Sequence, residues 1–182
     1  MSLKERRVQE QLFNLVLEES HAPDKSLDPL LLMLRKLREG ITAADLYDDF
    51  TIKVYEKSVD ICLLAQNESE LFKSLTQLLK IVYPRALAHG SINLPRRDQM
   101  CGYYLLYLAC QTQSTDQKTR MSALELVQFY TCLDRSMTLS EPVVYALKVF
   151  RALVYDLDFV HLSALWKKGS THQKSLFKVR SF

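Results

Sequence analysis

Residues 50–83 constrain the fold of this chain most strongly, because they read as two amphipathic helices joined by a very short turn. Apolar side chains recur at intervals of three and four residues on each side of that turn, which places each set on one helical face. They are Ile52, Tyr55, Val59 and Cys62 before the turn, and Leu71, Leu75, Leu78 and Val82 after it. Asn67 and Glu70 resemble a capping box, in which Glu70 reaches back to the backbone amide of Asn67. Such a hairpin cannot bury its apolar stripe alone, so it predicts neighbouring helical hairpins.

The rest of the sequence supplies candidate neighbours. Similar spacing predicts helices over 3–19, 30–38, 96–111, 143–154 and 159–166. A further helix is predicted to run from a cap at 114–116 to about residue 133. Asp28 and Thr42 are predicted helix starts, and Gly40 and Tyr83–Pro84 are predicted helix ends. The apolar stripe of 143–154 is predicted to comprise Val144, Leu147, Phe150, Ala152 and Val154. No alternating run and no Asn-Gly or Asp-Gly turn indicates a strand. We therefore expect an all-α fold, a short solenoid of stacked helical hairpins.

Length and composition are those of a soluble, folded chain. Its 182 residues fit one domain that buries roughly 70% of its unfolded surface. We expect a helix and linker over 1–26 and a helical-repeat domain over 27–182. No apolar run approaches the roughly 20 residues of a membrane helix, and the N-terminus lacks the pattern of a signal peptide.

The four cysteines are widely spaced, and each falls inside an apolar helical stripe. They are Cys62, Cys101, Cys110 and Cys132. We expect four free, buried thiols and an intracellular protein.

The polar residues contain few arrangements that would support chemistry. The four glycines are too far apart for a phosphate-binding loop, and the histidines show no metal-ligand spacing, so we expect no cofactor, metal or small-molecule substrate. Asp45, Asp48 and Asp49 are spaced to share one helical face, where they could form the acid/base or metal site of a hydrolase. The alternative is that they favour a helix N-terminus, with Asp49 paired to Lys53.

Two basic regions are candidates for binding. Tyr103, Tyr104 and Tyr107 follow Arg96 and Arg97 and could stack on single-stranded bases, but their spacing favours Tyr103 and Tyr107 in the core, with Tyr104 at its margin. Net charge is +3, and no acidic residue follows Asp158. Candidate contacts to nucleic acid or to a partner in this basic end are Lys167, Lys168, Lys174, Lys178 and Arg180. Candidate docking residues among them, with no evident core left to join, are Leu176, Phe177, Val179 and Phe182.

Two motifs resemble those of the SAC/GANP family, which is allied to the PCI domains of the proteasome lid, the signalosome and translation-initiation assemblies. The first is Phe50-Thr-x-x-Val-Tyr-Glu56, followed by the Asn67 turn, Leu71-Phe72, Gln77-Leu78 and Tyr83. The second is Glu141-Pro-Val-Val-x-Ala-Leu147, followed by Ala152, the Asp156 turn, Phe159 and the helix to Trp166. The resemblance covers about 30–182. It implies a TPR-like, PCI-type right-handed solenoid.

The family's turns usually contain glycine, whereas this chain has Gln66-Asn67 and Tyr155-Asp156. We expect Asn67 and Asp156 to take the left-handed backbone geometry, which these residue types tolerate. Family-related chains continue into a winged helix, so we expect that module to be truncated or absent here.

The resemblance also implies a function. It suggests a non-enzymatic scaffold subunit of a nuclear mRNA export and processing complex, which binds a PCI-type protein and, as a further option, single-stranded RNA. The alternative is a subunit of the proteasome regulatory-particle lid that acts in protein degradation, located in both cytoplasm and nucleus.

Overall fold

The computed structural model describes residues 3–20, 26–90, 94–112 and 117–178. All regular structure in these ranges is helical and none is strand, which confirms the all-α prediction. The chain divides into two compact units, Met1–Asn93 and Leu94–Phe182. The predicted boundary after residue 26 and the predicted PCI-type stacking stay predictions. Among the described residues, no helix has both the length and the hydropathy to cross a bilayer.

Unit 1 is a series of helices in which chain neighbours pack on one another. The helices are α1 (Arg6–Ser20), α2 (Asp28–Ala44), α3 (Asp49–Leu64), α4 (Glu68–Gln77), a π-helical turn (Leu78–Val82) and α5 (Tyr83–Ala88). α1 packs on α2, α2 on α3, and α3 on α4. All eight residues of the predicted stripes in 50–83 are buried. The central hairpin is therefore confirmed.

The turn between α3 and α4 differs in detail from the predicted capping box. The Asn67 side chain accepts a hydrogen bond from the Glu70 amide at 3.1 Å, as predicted. The predicted reciprocal bond, from the Asn67 amide to the Glu70 carboxylate, does not form. The Asn67 amide donates to the Cys62 carbonyl, and the Glu70 carboxylate binds Arg38 instead. The left-handed residue is Gln66, with φ 54°, whereas φ of Asn67 is −89°.

Several predicted helix boundaries in unit 1 are wrong. α2 begins at Asp28, as predicted, but it passes through Gly40 to Ala44. Gly40 permits a close approach rather than a helix end, since a Cβ there would lie 2.5 Å from the Leu3 carbonyl oxygen. α2 ends at Asp45, with φ 51°, so Thr42 does not start a helix. α3 is capped by Asp48, whose carboxylate accepts the amide hydrogen of Thr51 at 3.0 Å.

Pro84 does not end the second hairpin helix. Tyr83 keeps helical geometry, and its amide donates to the carbonyl five residues back, on Leu78. Proline lacks an amide and its ring conflicts with the carbonyl four residues earlier, a conflict that a wider π turn can absorb. The helical path therefore continues to Ala88.

Unit 2 is organised around one central helix. Its helices are α6 (Arg97–Gln111), α7 (Gln117–Thr131), α8 (Arg135–Thr138), α9 (Glu141–Val154), α10 (Phe159–Lys168) and α11 (Thr171–Lys178). α6 packs against α7, α9 and α11, and α10 packs against α9. Gly102 allows the close contact of α6 with α9, since a Cβ there would lie 2.6 Å from Cβ of Pro142.

The buried faces of unit 2 correct two predictions. Tyr104 is fully buried and donates to Glu125, while Tyr107 is only partly buried, the reverse of the predicted order. In α9 the buried residues are Val143, Tyr145, Ala146, Val149, Ala152 and Leu153. Only Ala152 belongs to the predicted stripe. α9 packs against both α6 and α10, so its buried face is wider than one stripe and is offset from the predicted one.

The cysteines are all free, as predicted. Cys62, Cys101 and Cys110 are buried, but Cys132 follows the end of α7 and is exposed, so its predicted burial is wrong. Burial raises the pKa of Cys101 to about 12, so this thiol stays protonated at neutral pH.

Candidate interaction surface

The turn from α9 to α10 sets the position of several strongly exposed apolar residues of the described part of the chain. Arg151 binds Asp156 at 3.2 Å, between Nε and Oδ2. The left-handed residue is Leu157, with φ 46°, and not Asp156 as predicted. The Asp158 carboxylate then caps α10 by accepting the His161 amide hydrogen at 2.9 Å. A leucine at positive φ is unusual, because its Cβ crowds the backbone there.

The outer side of α10, which we call the α10 face, carries large apolar side chains in solvent. Phe159 is 65% exposed and Val160 is 83% exposed. With Ser163, Ala164 and Lys167 they line an open concavity of about 450 Å³. Trp166, 40% exposed, lies at the border by helical geometry. α10 is anchored by Leu162 and Leu165, which are buried on its other side.

The predicted basic residues lie around the C-terminal end of α10. Lys167 and Lys168 are exposed in its last turn, where the helix dipole favours cations. Lys174 on α11 places its Nζ 5.6 Å from the ring centroid of Trp166. The structure therefore places three of the five predicted basic residues around the C-terminal end of α10, which we call the basic side of unit 2. The Lys178 side chain and Arg180 lie outside the described residues.

Two of the four predicted docking residues belong to the core. Leu176 is 2% exposed and Phe177 is 5% exposed, and their helix, α11, packs on α6. The prediction that they lack a core to join is therefore wrong. Val179 and Phe182 lie outside the described residues, so their role in docking stays a prediction.

A second concavity, of about 530 Å³, lies between α9 and α10. Its lining mixes Lys148, Arg151 and Lys168 with Asp156 and Asp158, so its charges largely offset one another. At its apolar edge the Tyr145 hydroxyl donates to the Leu165 carbonyl at 3.0 Å. Burial raises the pKa of Tyr145 to about 12, so this phenol stays protonated at neutral pH. The site therefore holds the two helices together.

Unit 1 contains a buried polar cluster centred on Arg38. The guanidinium donates to the hydroxyls of Ser58 and Ser74, and its Nη2 lies 2.5 Å from Oε2 of Glu70. Burial alone would raise the pKa of Glu70, but hydrogen bonds from Lys73 and Arg38 outweigh it and hold this pKa below its ordinary value. The cluster joins α2, α3 and α4. A concavity of about 460 Å³ borders it.

The predicted acidic cluster does not form. Asp45 ends α2, Asp48 caps α3 and Asp49 begins α3, so the three residues do not share a helical face. Asp45 binds Arg85 at 2.7 Å and Asp48 binds Arg6 at 2.8 Å. Within the described part of the chain, no three His, Cys, Asp or Glu side chains are grouped to hold a metal.

Comparison with known proteins found no matching family model, no matching curated protein and no matching solved structure. Membership of the SAC/GANP family therefore stays a prediction from the motifs. Sequence reasoning missed the α10 face, although the apolar residues of 154–160 gave a signal, because they exceed what one buried stripe can accommodate.

Proposed function

We propose that this chain is a non-enzymatic scaffold subunit of the SAC/GANP type, built from PCI-type helical hairpins. It acts in a nuclear complex for mRNA export and processing, where it holds a PCI-type protein partner. The proposal combines the two sequence motifs with one structural observation, which concerns the turns inside those motifs.

The turns of the two motif hairpins have three and four residues, and they share one backbone feature. In each, a residue with positive φ is followed at once by an asparagine or aspartate that caps the next helix. Gln66 precedes Asn67, and Leu157 precedes Asp158. The family's turns usually contain glycine, the residue best suited to positive φ. This feature, shared by the turns at the two motif sites, supports a helical-repeat scaffold, in which shape and exposed surface perform the function.

Purification of the tagged chain from nuclei of its native cell tests this function. We expect a PCI-type subunit to co-purify in near-equal amount, together with mRNA-processing proteins. Recovery of proteasome lid subunits instead would establish the alternative, a lid subunit acting in protein degradation. A chain that carries no stoichiometric protein partner would overturn the scaffold proposal.

The basic side of unit 2 extends the proposal to single-stranded RNA. Lys167, Lys168 and Lys174 would meet phosphates, and each contact would make affinity more dependent on salt. We expect Lys167→Glu with Lys168→Glu to weaken binding of an oligouridine in a filter assay. The matched control reverses two exposed lysines of unit 1, Lys36 and Lys53, and should leave binding unchanged. Equal losses from both pairs would indicate unspecific charge attraction only.

A further inference from the structure

We propose that the α10 face binds an amphipathic helix of a partner protein, whose first turn is acidic. This inference rests on the proposed scaffold function and specifies how a partner would be held. It is carried by the shape of the face, by its exposed apolar residues, and by the charges that remain unpaired around it.

The shape of the α10 face suits a helix. Ser163 and Ala164 are small and lie between Phe159, Val160 and Trp166 on the helical surface. Small residues flanked by large ones leave a groove into which the side-chain ridge of another helix can pack. α10 has ten residues, which gives an apolar length of about 15 Å. That length fits anchors at positions i, i+3 or i+4, and i+7 of the bound helix.

The charges favour an acidic partner at one end of the face. At the N-terminal end, Asp156 is bound by Arg151 and Asp158 caps α10, so both carboxylates are already engaged. At the C-terminal end, Lys167 is exposed on the face and has no ion pair within the described part of the chain, and the exposed Lys168 lies next to it, on the side of the concavity between α9 and α10. The charge left for a partner is therefore positive, and carboxylates would complement it.

Charge complementarity also sets the direction of the bound helix. Carboxylates stabilise the first turn of their own helix, because of its dipole. A partner with an acidic first turn next to Lys167 runs antiparallel to α10. Its apolar anchors then lie over Ala164 and Ser163 and reach Val160 and Phe159 farther along.

Two other occupants of the α10 face, single-stranded RNA and a second copy of this chain, fit less well. Single-stranded RNA could stack on Phe159 and Trp166, but Val160, which is 83% exposed, gains little from bases and phosphates. A second copy of α10 packed antiparallel would bring Lys167 to the end where the carboxylates are already bonded. An acidic amphipathic helix both covers the apolar residues and pairs the lysines.

Peptide selection tests the inference without knowledge of the natural partner. The full chain serves as bait for a phage library of helix-forming peptides of about 18 residues, randomised on one face and in the first turn. We expect selected peptides to share apolar residues at i, i+3 or i+4, and i+7, with Asp or Glu in the first turn. Trp166 is the only tryptophan, so its emission reports binding of a synthetic selected peptide at this face.

Variants assign the binding to the face. Phe159→Ser with Val160→Ser removes two apolar contacts and should weaken the peptide more than about tenfold. Lys167→Glu with Lys168→Glu should weaken peptide binding about fivefold or more at low salt, and this loss of affinity should be smaller at high salt. Leu139→Ser, which alters an exposed leucine elsewhere in unit 2, is the matched control and should have no effect. All replaced side chains are exposed, and circular dichroism should confirm unchanged folds.

Each other outcome overturns the inference. Recovery of no peptide, of peptides without acidic first turns, or of peptides that bind the serine variant equally well would reject it. Displacement of the peptide by oligouridine, with the same serine variant losing RNA, would assign the face to RNA. Self-association that the serine variant abolishes in sedimentation would assign it to a second copy. If the natural partner still co-purifies with the serine variant, the scaffold function stands and this inference alone fails.

Discussion

Replacing Arg38 by methionine tests whether the polar cluster braces unit 1. Arg38 is 7% exposed and binds groups on α3 and α4. Methionine keeps most of its length but donates no hydrogen bond. Removing one partner of a buried ion pair typically costs about 3 to 5 kcal/mol. Glu70 keeps Lys73 at 3.0 Å and some solvent contact, so we expect the low end, about 3 kcal/mol of the free energy of unfolding.

The double variant Arg38→Met with Glu70→Gln separates a lost brace from general damage. Glutamine leaves no buried charge unpaired, and replacing both members of a buried pair is often close to neutral. We expect the double variant to lose only about 1 kcal/mol, which is about 2 kcal/mol less than the loss from Arg38→Met alone. Urea unfolding followed by far-UV circular dichroism measures both values.

The pH dependence of the Arg38 variant has a definite sign. The pKa of Glu70 is lowered in the folded chain, so its carboxylate stabilises the fold above its ordinary pKa of 4.5. That contribution is lost as pH falls through the lower folded pKa. The difference between the wild type and Arg38→Met should therefore shrink as pH falls below 4.5 and through the lower pKa that Glu70 has in the folded chain. A loss below about 1 kcal/mol at neutral pH, or a double variant no more stable than the single one, would refute the bracing role.

Three further tests, made with four substitutions and one reagent, probe the packing. Leu75→Ala should cost about 2 to 5 kcal/mol of unfolding free energy, since Leu75 is fully buried, and Leu147→Ala should cost less than half as much because Leu147 is only partly buried. Equal losses in urea unfolding would contradict this order. Leu157→Gly should be neutral or stabilising by about 1 kcal/mol, because glycine relieves the positive φ, whereas Ser163→Gly inside α10 should cost about that amount in thermal unfolding. An aromatic disulfide reagent should modify Cys132 quickly in the folded chain, and fast modification of a second thiol would contradict the burial of the other three.

The hairpin of 50–83 could be predicted because its signals are local. Apolar spacing fixes which side of each helix is buried, and an asparagine after a helix indicates where the next one starts. The Arg38 cluster could not be predicted in the same way. Its partners on α3 and α4 lie 20, 32 and 36 residues away along the chain, and sequence spacing does not reveal contacts that distant.

The wrong boundaries share one physical cause, since tertiary contacts overrode local preferences. Gly40 would end many helices, but here the backbone at Leu3 requires a residue without a side chain in mid-helix. Pro84 would break many helices, but a π turn before it removes the conflict. The same limit applies to Phe159, because periodicity identifies an apolar side chain without indicating whether its neighbour lies in this chain or in another protein.

The turn at Leu157 connects the repeat geometry to the α10 face. Positive φ costs a leucine about 1 to 2 kcal/mol, and a buried side chain could offset that cost through packing. The Leu157 side chain is 64% exposed and so recovers little of it within the chain. Gln66, at the matching place in the first motif hairpin, is also exposed at positive φ, but its side chain is polar and suits contact with water. A strained, exposed leucine beside Phe159 and Val160 is most simply explained if all three meet the same external partner, and strain of this kind collects at functional sites.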